Sequence, residues 1–474
     1  PPEPPAGEVG RAATEPPTDA AVSAPSPATA AASPSEPSVT AREPDSGPSP
    51  SPTPDSFHAL DQAPVLALPR LGVNGPIAGV AGFDQARSLG ARVYAVGLMW
   101  FDVEPSRTDP PTYDWTKYDA IFRALSERGL IAHVIVTGNP RWAATGERKL
   151  LTQEGRAGLA EFAGALAGRY PDVTLWSFYN EPDCRGPTNR PGAVWESNPS
   201  TCWGEHGHEY AEMLAAVRPA VKAANDDAQI LLGGLAHEPG NPDFAEGFLD
   251  AVLDAGGGAH FDVLDFHHYA EYGPEWTQRL NDPAYIDVAA KLAYLRQKMA
   301  DKGVQKPIII SEISKHGAID SDETDQARYL IKAFARSLAV GSSATIWFNL
   351  QDDPNPGFSF GLARADWTDK PAGEAFRTLA QGSFKDVVPD GAEKLEVPPE
   401  AEAYRFRLGT SPRRLIAGWT EAAEGQPLEL RTRSIQVESR DAPARTVNDA
   451  DDGEADGWVR LTLSQEPIIV TYTP

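Results

Sequence analysis

Val173-Thr174-Leu175-Trp176-Ser177-Phe178-Tyr179-Asn180-Glu181-Pro182 is the stretch on which the fold turns. Six of its first seven residues, all but Ser177, are apolar, β-branched or aromatic, which reads as a buried strand. It stops at Asn-Glu-Pro, so a carboxylate stands where the strand ends. A second run, Pro307–Ser311, behaves in the same way and stops at Glu312. Side chains alternate faces along a strand, so Glu312 is expected to share a face with Ile310 and Ile308, and Glu181 with Tyr179 and Ser177. Trp176 and Phe178 are then expected to face outward.

Working outward, strands are predicted at Pro69–Val73, Ala91–Leu98, Ile131–Val136, Gln229–Gly233, Phe261–His268 and Ala344–Phe348. Amphipathic stretches lie between the strands, among them Lys117–Arg128, Glu154–Arg169, His208–Ala224 and Thr324–Ala339. Eight strands with intervening helices match an α/β fold, the (β/α)8 TIM barrel. A doubly wound open sheet needs a Gly-rich phosphate turn after its first strand, and none follows Leu71–Val73. The barrel is assigned to residues 58–381. Residues 1–57 are Pro/Ala/Ser-rich, with no aromatic, Leu or Ile before Phe57. Such a segment buries too little apolar surface to offset chain entropy and is expected to be a disordered, extended linker. Residues 382–474 lose the helical period and read as a small antiparallel β-module. That module is expected to pack on the barrel, since no planar aromatic row marks a sugar-binding face.

Composition narrows the function. The net charge of −25 counts against a nucleic-acid partner, which needs a basic face. No apolar run approaches the roughly 20 residues of a membrane span. Cys184 and Cys202 lie in one loop region and are expected to form a disulfide in an oxidising compartment. The first Met is Met99, so a targeting segment is expected to have been removed. An extracellular or cell-surface location follows, with envelope tethering through the N-terminal linker and a monomeric state as expectations.

In a TIM barrel the active site lies at the C-terminal ends of the strands. Glu181 and Glu312 would converge there from different strands. Two carboxylates are what glycosidic cleavage needs: one protonates the leaving oxygen, and the other attacks the anomeric carbon or activates water. With Asn180-Glu181-Pro182 after strand four and Glu312 after strand seven, the sequence resembles the clan A glycoside hydrolases, most closely family 39. Arg92, Trp100, Glu104-Pro105, Tyr113-Asp114-Trp115, Asn139-Pro140-Arg141-Trp142-Ala143, His267-His268-Tyr269 and Trp347 follow in the order that the resemblance calls for. It covers about Leu71 to Leu379.

The resemblance implies a retaining enzyme without cofactor. Glu181 is then acid/base and Glu312 nucleophile. Asn180 would bond the sugar 2-hydroxyl, Tyr269 would hold the nucleophile, and His267 would orient the site. Trp347 would floor the subsite, and Arg92 would support the carboxylates from beneath. Trp100, Trp142 and Trp203 are candidate stacking platforms, as are Tyr272, Trp276 and Trp367. The insertion Asp183–Gly207 is read as a disulfide-stapled cleft wall. No metal is expected, because the first strand, Leu71-Gly72-Val73-Asn74, carries no His-x-His. The expected substrate is an oligo- or polysaccharide, with endo action favoured. The competing readings are a catalytically silent carbohydrate-binding barrel and a transglycosylase using the same pair.

Overall fold

A computed structural model describes residues 58–59, 64–75, 80–146, 150–186, 201–282, 284–317, 322–354 and 359–474. The expected disordered tail, residues 187–200 of the long insertion with Trp195, and residues 355–358 of the Gln351–Phe360 loop lie outside them.

Eight parallel strands close into a barrel in sequential order. They are β1 (Leu71–Asn74), β2 (Val93–Met99), β3 (Ile131–Thr137), β4 (Leu175–Phe178), β5 (Gln229–Leu235), β6 (Val263–Tyr269), β7 (Ile308–Ser314) and β8 (Thr345–Phe348). A helix follows each strand: α1 (Val80–Leu89), α2 (Thr116–Glu127), α3 (Gln153–Arg169), α4 (Gly207–Ala224), α5 (Phe248–Asp254), α6 (Val288–Asp301), α7 (Glu323–Ala339) and α8 (Pro371–Gln381). Helix boundaries follow local chemistry. The Thr152 side chain accepts the Gly155 N–H at the start of α3, and Asp322 accepts the Asp325 N–H at the start of α7. A further helix, Gly273–Leu280, has Pro274 in its first turn and carries Trp276.

The barrel interior is filled by Leu175, Leu231, Val263, Ile309 and Ala344, with Val93, Ala95 and Ile346 beside them. Ile308 and Ile310 instead join the core between strands and helices, together with Trp176 and Phe178. The expected inward face of β7 is therefore wrong by one residue: Ile309 and Ser311 point inward. Trp176 and Phe178 face outward as expected.

The C-terminal strands are β9 (Val387–Lys394), β10 (Ala401–Leu408), β11 (Arg414–Thr420), β12 (Gln426–Arg431), β13 (Ser434–Ser439), β14 (Arg445–Asn448), β15 (Trp458–Leu463) and β16 (Ile468–Tyr472). All their pairings are antiparallel, with β12 and β15 forming a separate two-stranded sheet. Pro-Asp-Gly interrupts β9, and its register with β10 shifts there. Helix α7 lies between barrel and module and is buried nearly all round. Its cations must then be paired. Lys332 meets Glu421, Arg328 meets Glu466 and Arg336 meets Glu402.

Candidate active site

The backbone after β4 is unusual. Tyr179 and Glu181 both take left-handed conformations, with φ of 68° and 47°. For non-glycine residues each costs on the order of 1–3 kcal/mol and needs surrounding structure to hold it. That structure is present. Tyr179 donates its N–H to Val136 O and its hydroxyl to Asn139 Oδ1, at 2.7 and 2.9 Å. Asp183 accepts the N–H groups of Ala236 and His237. Burial raises its carboxyl to about 6, against the pull of those two donors. The N–H groups of Trp203 and Gly204 both reach Pro182 O, and Cys184 is disulfide-bonded to Cys202 as expected. The turn is thus clamped from three sides, and Glu181 projects over the barrel mouth.

Glu312 arrives differently. The pairing of β7 with β6 shifts register between Ile310 and Glu312. This irregularity breaks the alternation and lets Glu312 follow inward-facing Ser311 without turning into the helix layer. Two donors meet its carboxylate, Asn74 Nδ2 at 3.0 Å and Tyr269 Oη at 2.9 Å, and His267 Nδ1 lies within ion-pair distance at 3.4 Å. His267 Nδ1 also lies 2.9 Å from Glu181 Oε1, so one imidazole bridges the two carboxylates. The Glu181 side chain is 28% exposed and that of Glu312 only 9%. Burial raises the Glu312 carboxyl and the Glu181 charge adds to this, while His267, Tyr269 and Asn74 oppose it.

Beneath the pair lies a buried polar layer. Ser311 Oγ and Ser177 Oγ both donate to Asp265 Oδ2, at 2.8 and 3.4 Å. Having given its proton to Asp265, each serine accepts from a histidine: His267 Nε2 at 3.1 Å for Ser311, His133 Nε2 at 2.7 Å for Ser177. Burial raises Asp265 to about 7 and lowers His133 to about 3, so His133 is neutral. Burial works against the His267 charge too, but Glu312, Glu181 and Asp265 outweigh it and raise the imidazole to about 9. His267 therefore donates from both nitrogens.

The predicted residues divide into two groups. Glu181, Glu312, His267 and Tyr269 come together, and Asn180 sits half-buried beside Glu181. Arg92 does not join them. It precedes β2 and lies exposed at the N-terminal end of the barrel, the opposite face. Trp100 is fully buried, donates to Glu104 and stacks on Phe162. Trp203 is fully buried between Tyr179 and Tyr210. Trp347 is fully buried and donates to Phe360 O. None of these three rings offers a face to a ligand; they are core, as large aromatics most often are. Trp142 is half-buried, its ring met by Trp100 and Arg107. Trp276 is buried on its own helix. The aromatics that do reach Tyr269 are Phe348 and Phe360, with ring centroids 6.2 and 5.6 Å away. Sequence reading missed Asn74, Asp265, Ser311 and Phe348. A polar residue inside or ending an apolar strand was the available signal for the first three.

Glu181, His267 and Glu312 each place a ligand atom within 4.8 Å of the others, a spacing that a divalent cation also accepts. A histidine donating from both nitrogens has no lone pair for a metal. In this arrangement both ring nitrogens of His267 are engaged, Nδ1 with Glu181 and Nε2 with Ser311.

No protein-family model matches the sequence, and no curated protein matches it. Solved structures do. A family 39 glycoside hydrolase from Bacteroides cellulosilyticus WH2 matches with TM-score 0.63 at 20% identity, over 84% of this chain and 80% of that one. A GH30 endoxylanase from Clostridium papyrosolvens C71 matches with TM-score 0.59 at 14% identity, over 88% and 98%. A monomeric β-xylosidase from Caulobacter crescentus CB15 matches with TM-score 0.57 at 15% identity, over 88% and 98%. At these identities the likeness establishes the shared architecture of barrel and β-module.

Proposed function

We propose that this chain is a retaining glycoside hydrolase acting on an oligo- or polysaccharide, with Glu312 as nucleophile and Glu181 as general acid/base. The observation that carries this reading is the spacing of the pair. Oxygens of Glu181 and Glu312 lie within 4.8 Å, bridged by His267 over the barrel mouth. Retaining enzymes hold their carboxyl groups about 5–5.5 Å apart, whereas inversion needs about 6.5–9.5 Å to admit a water.

The roles follow from hydrogen bonding and access. Two hydrogen-bond donors, Asn74 and Tyr269, steady Glu312 as the attacking carboxylate, and the more exposed Glu181 is the one that hands a proton to the leaving oxygen. Glu312 attacks the anomeric carbon as Glu181 protonates that oxygen and the glycosidic bond breaks. Water then enters, gives a proton back to Glu181 and displaces Glu312 from the anomeric carbon. Asn180 is placed beside Glu181 to meet a sugar hydroxyl, and Phe348 to face the ring. The barrel neighbours' names, xylosidase and xylanase, make β-xylosides the first substrates to try. A disulfide beside the acid/base supports an extracellular or cell-surface setting. No helix among the described residues is long and apolar enough to cross a membrane. Envelope tethering, endo action and a monomeric state belong to the same proposal.

The test is an aryl-glycoside and polysaccharide panel with wild type and Glu312→Ala, following the product anomer by NMR. Retained anomer from wild type and loss of turnover in the variant are expected. Binding of polysaccharide without any turnover would instead identify a silent binding barrel, and lengthened products a transglycosylase.

A further inference from the structure

The displaced Arg92 leads to a second site. At the N-terminal end of the barrel, Arg70, Arg87, Arg92 and Lys385 line one cavity of about 520 Å³, with Pro69, Gly90, Gln381 and Asp386 among its walls. The cavity exists because the ends of α1 and α8 approach closely. Gly90 has φ of +96°, and a Cβ there would meet Ala380 and Gln381 at 2.9 Å, so only glycine serves.

The cations stand out in a chain of net charge −25. Arg70 gives its guanidinium to two carbonyls, Leu66 O and Ser343 O. Among the described residues, Lys385 meets the Gln381 carbonyl. Among the described residues, no carboxylate bonds to Arg70, Arg87, Arg92 or Lys385. Burial lowers the Arg70 guanidinium from its ordinary value, with no acid to offset it. Elsewhere the arginines are mostly ion-paired, Arg128 with Asp84 and Arg169 with Asp119 for example.

The bland account is that these cations offset helix C-termini, since α1 and α8 both end here. Each helix end is worth about half a negative charge. Asp386 supplies one more. Four cations against those terms leave roughly two positive charges in the cavity. Helix ends therefore account for only part of the cluster.

We propose that this cavity binds an oxyanion, a phosphate or an equivalent group, independently of the carboxylate site. Guanidinium forks suit such tetrahedral anions. The ligand is either a free anion or the phosphodiester of an anionic polymer.

The experiment is titration calorimetry of the full chain with inorganic phosphate at constant ionic strength, with Arg87→Gln/Arg92→Gln alongside. Both side chains are exposed, so the double variant should fold; its thermal unfolding checks this. Arg413→Gln/Arg414→Gln controls for general loss of charge. The expected result is saturable binding that weakens tenfold or more in the first variant and less than twofold in the control. Competition by a soluble polyphosphodiester would identify a polymer as the occupant, and its failure a free anion. Absence of phosphate binding, or equal binding in all three proteins, overturns the proposal.

Discussion

Tyr269 Oη donates to Glu312 Oε2 over 2.9 Å. The residue is half-buried, and desolvation of its hydroxyl together with the charges of Glu312 and Glu181 raises its ionisation well above the ordinary value, so it stays a donor. A hydrogen bond to a charged group contributes about 1.5–3 kcal/mol. Tyr269→Phe should therefore lower kcat/KM by roughly 10- to 100-fold. Its fold should persist, since the ring still packs on Phe348 and Phe360. Kinetics on an aryl β-glycoside together with a thermal melt checks both halves; unchanged kcat/KM would remove Tyr269 from the site.

Variants at Glu181 and Glu312 should differ in their sensitivity to leaving-group quality. Without its acid, Glu181→Ala should lose about 10²–10⁴ in rate on a substrate with a poor leaving group. On a dinitrophenyl glycoside, whose departure needs no proton, the bond-breaking loss should nearly vanish. Glu312→Ala should be crippled on both. Parallel losses for Glu181→Ala on the two substrates would refute its role as acid.

Part of this site was legible in the sequence and part was not. The two glutamates were, because a carboxylate closing an apolar run marks a strand's C-terminal end. The same rule would have found Asn74, which closes β1. It would also have excluded Arg92, which opens its strand and so belongs to the opposite face. The orientation of Glu312 was not legible. Strands buried on both faces read as continuous apolar runs, so nothing in Ile308-Ile309-Ile310 tells which residue points inward, and an irregularity at Ser311 leaves no trace in the pattern. Nor could the left-handed Tyr179 and Glu181 be foreseen, since tertiary contacts hold them there. Trp100, Trp203 and Trp347 misled because a tryptophan near a strand-to-helix connection has the same local sequence whether it faces a cleft or the core.

Asp265 should govern the charge on His267. The imidazole gives one proton to Ser311, which passes its own to Asp265. Asp265→Asn removes the negative charge that this chain ends on, so the His267 value should fall from about 9. If activity needs the imidazolium, the basic limb of the pH–rate profile should move to lower pH, and Ser311→Ala should move it the same way. Stability gives a separate sign. Asp265 is raised to about 7 in the folded chain. Its contribution is thus complete below the unfolded carboxyl value of about 3.9 and lost as pH rises through about 7. The stability difference between wild type and Asp265→Asn should shrink over that window. A pH-independent difference and an unmoved basic limb would leave Asp265 a packing residue only.

A buried chain of charges ties β6 to the C-terminal module. His268 Nε2 meets Asp287 Oδ1 at 2.5 Å, Asp287 Oδ2 meets Arg336 at 3.0 Å, and Arg336 Nε meets Glu402 Oε2 at 3.0 Å. Removing one partner of such a chain strands the next charge away from water, at about 3–5 kcal/mol. Glu402→Gln should therefore lower Tm by several degrees, and Arg336→Leu/Glu402→Leu should recover part of that loss by removing both charges. The pH dependence follows from the first link. Burial opposes both charges, yet each partner's field prevails, holding His268 at about 9 and Asp287 at about 2. The His268 contribution is complete below about 6.5 and lost as pH rises through about 9. The Asp287 contribution is complete above about 3.9 and lost as pH falls through about 2. His268→Asn should hence destabilise strongly at pH near 6 and weakly near 10. Urea unfolding at the two pH values measures the difference, and an equal loss at both would mean that His268 is held neutral and acts by packing alone.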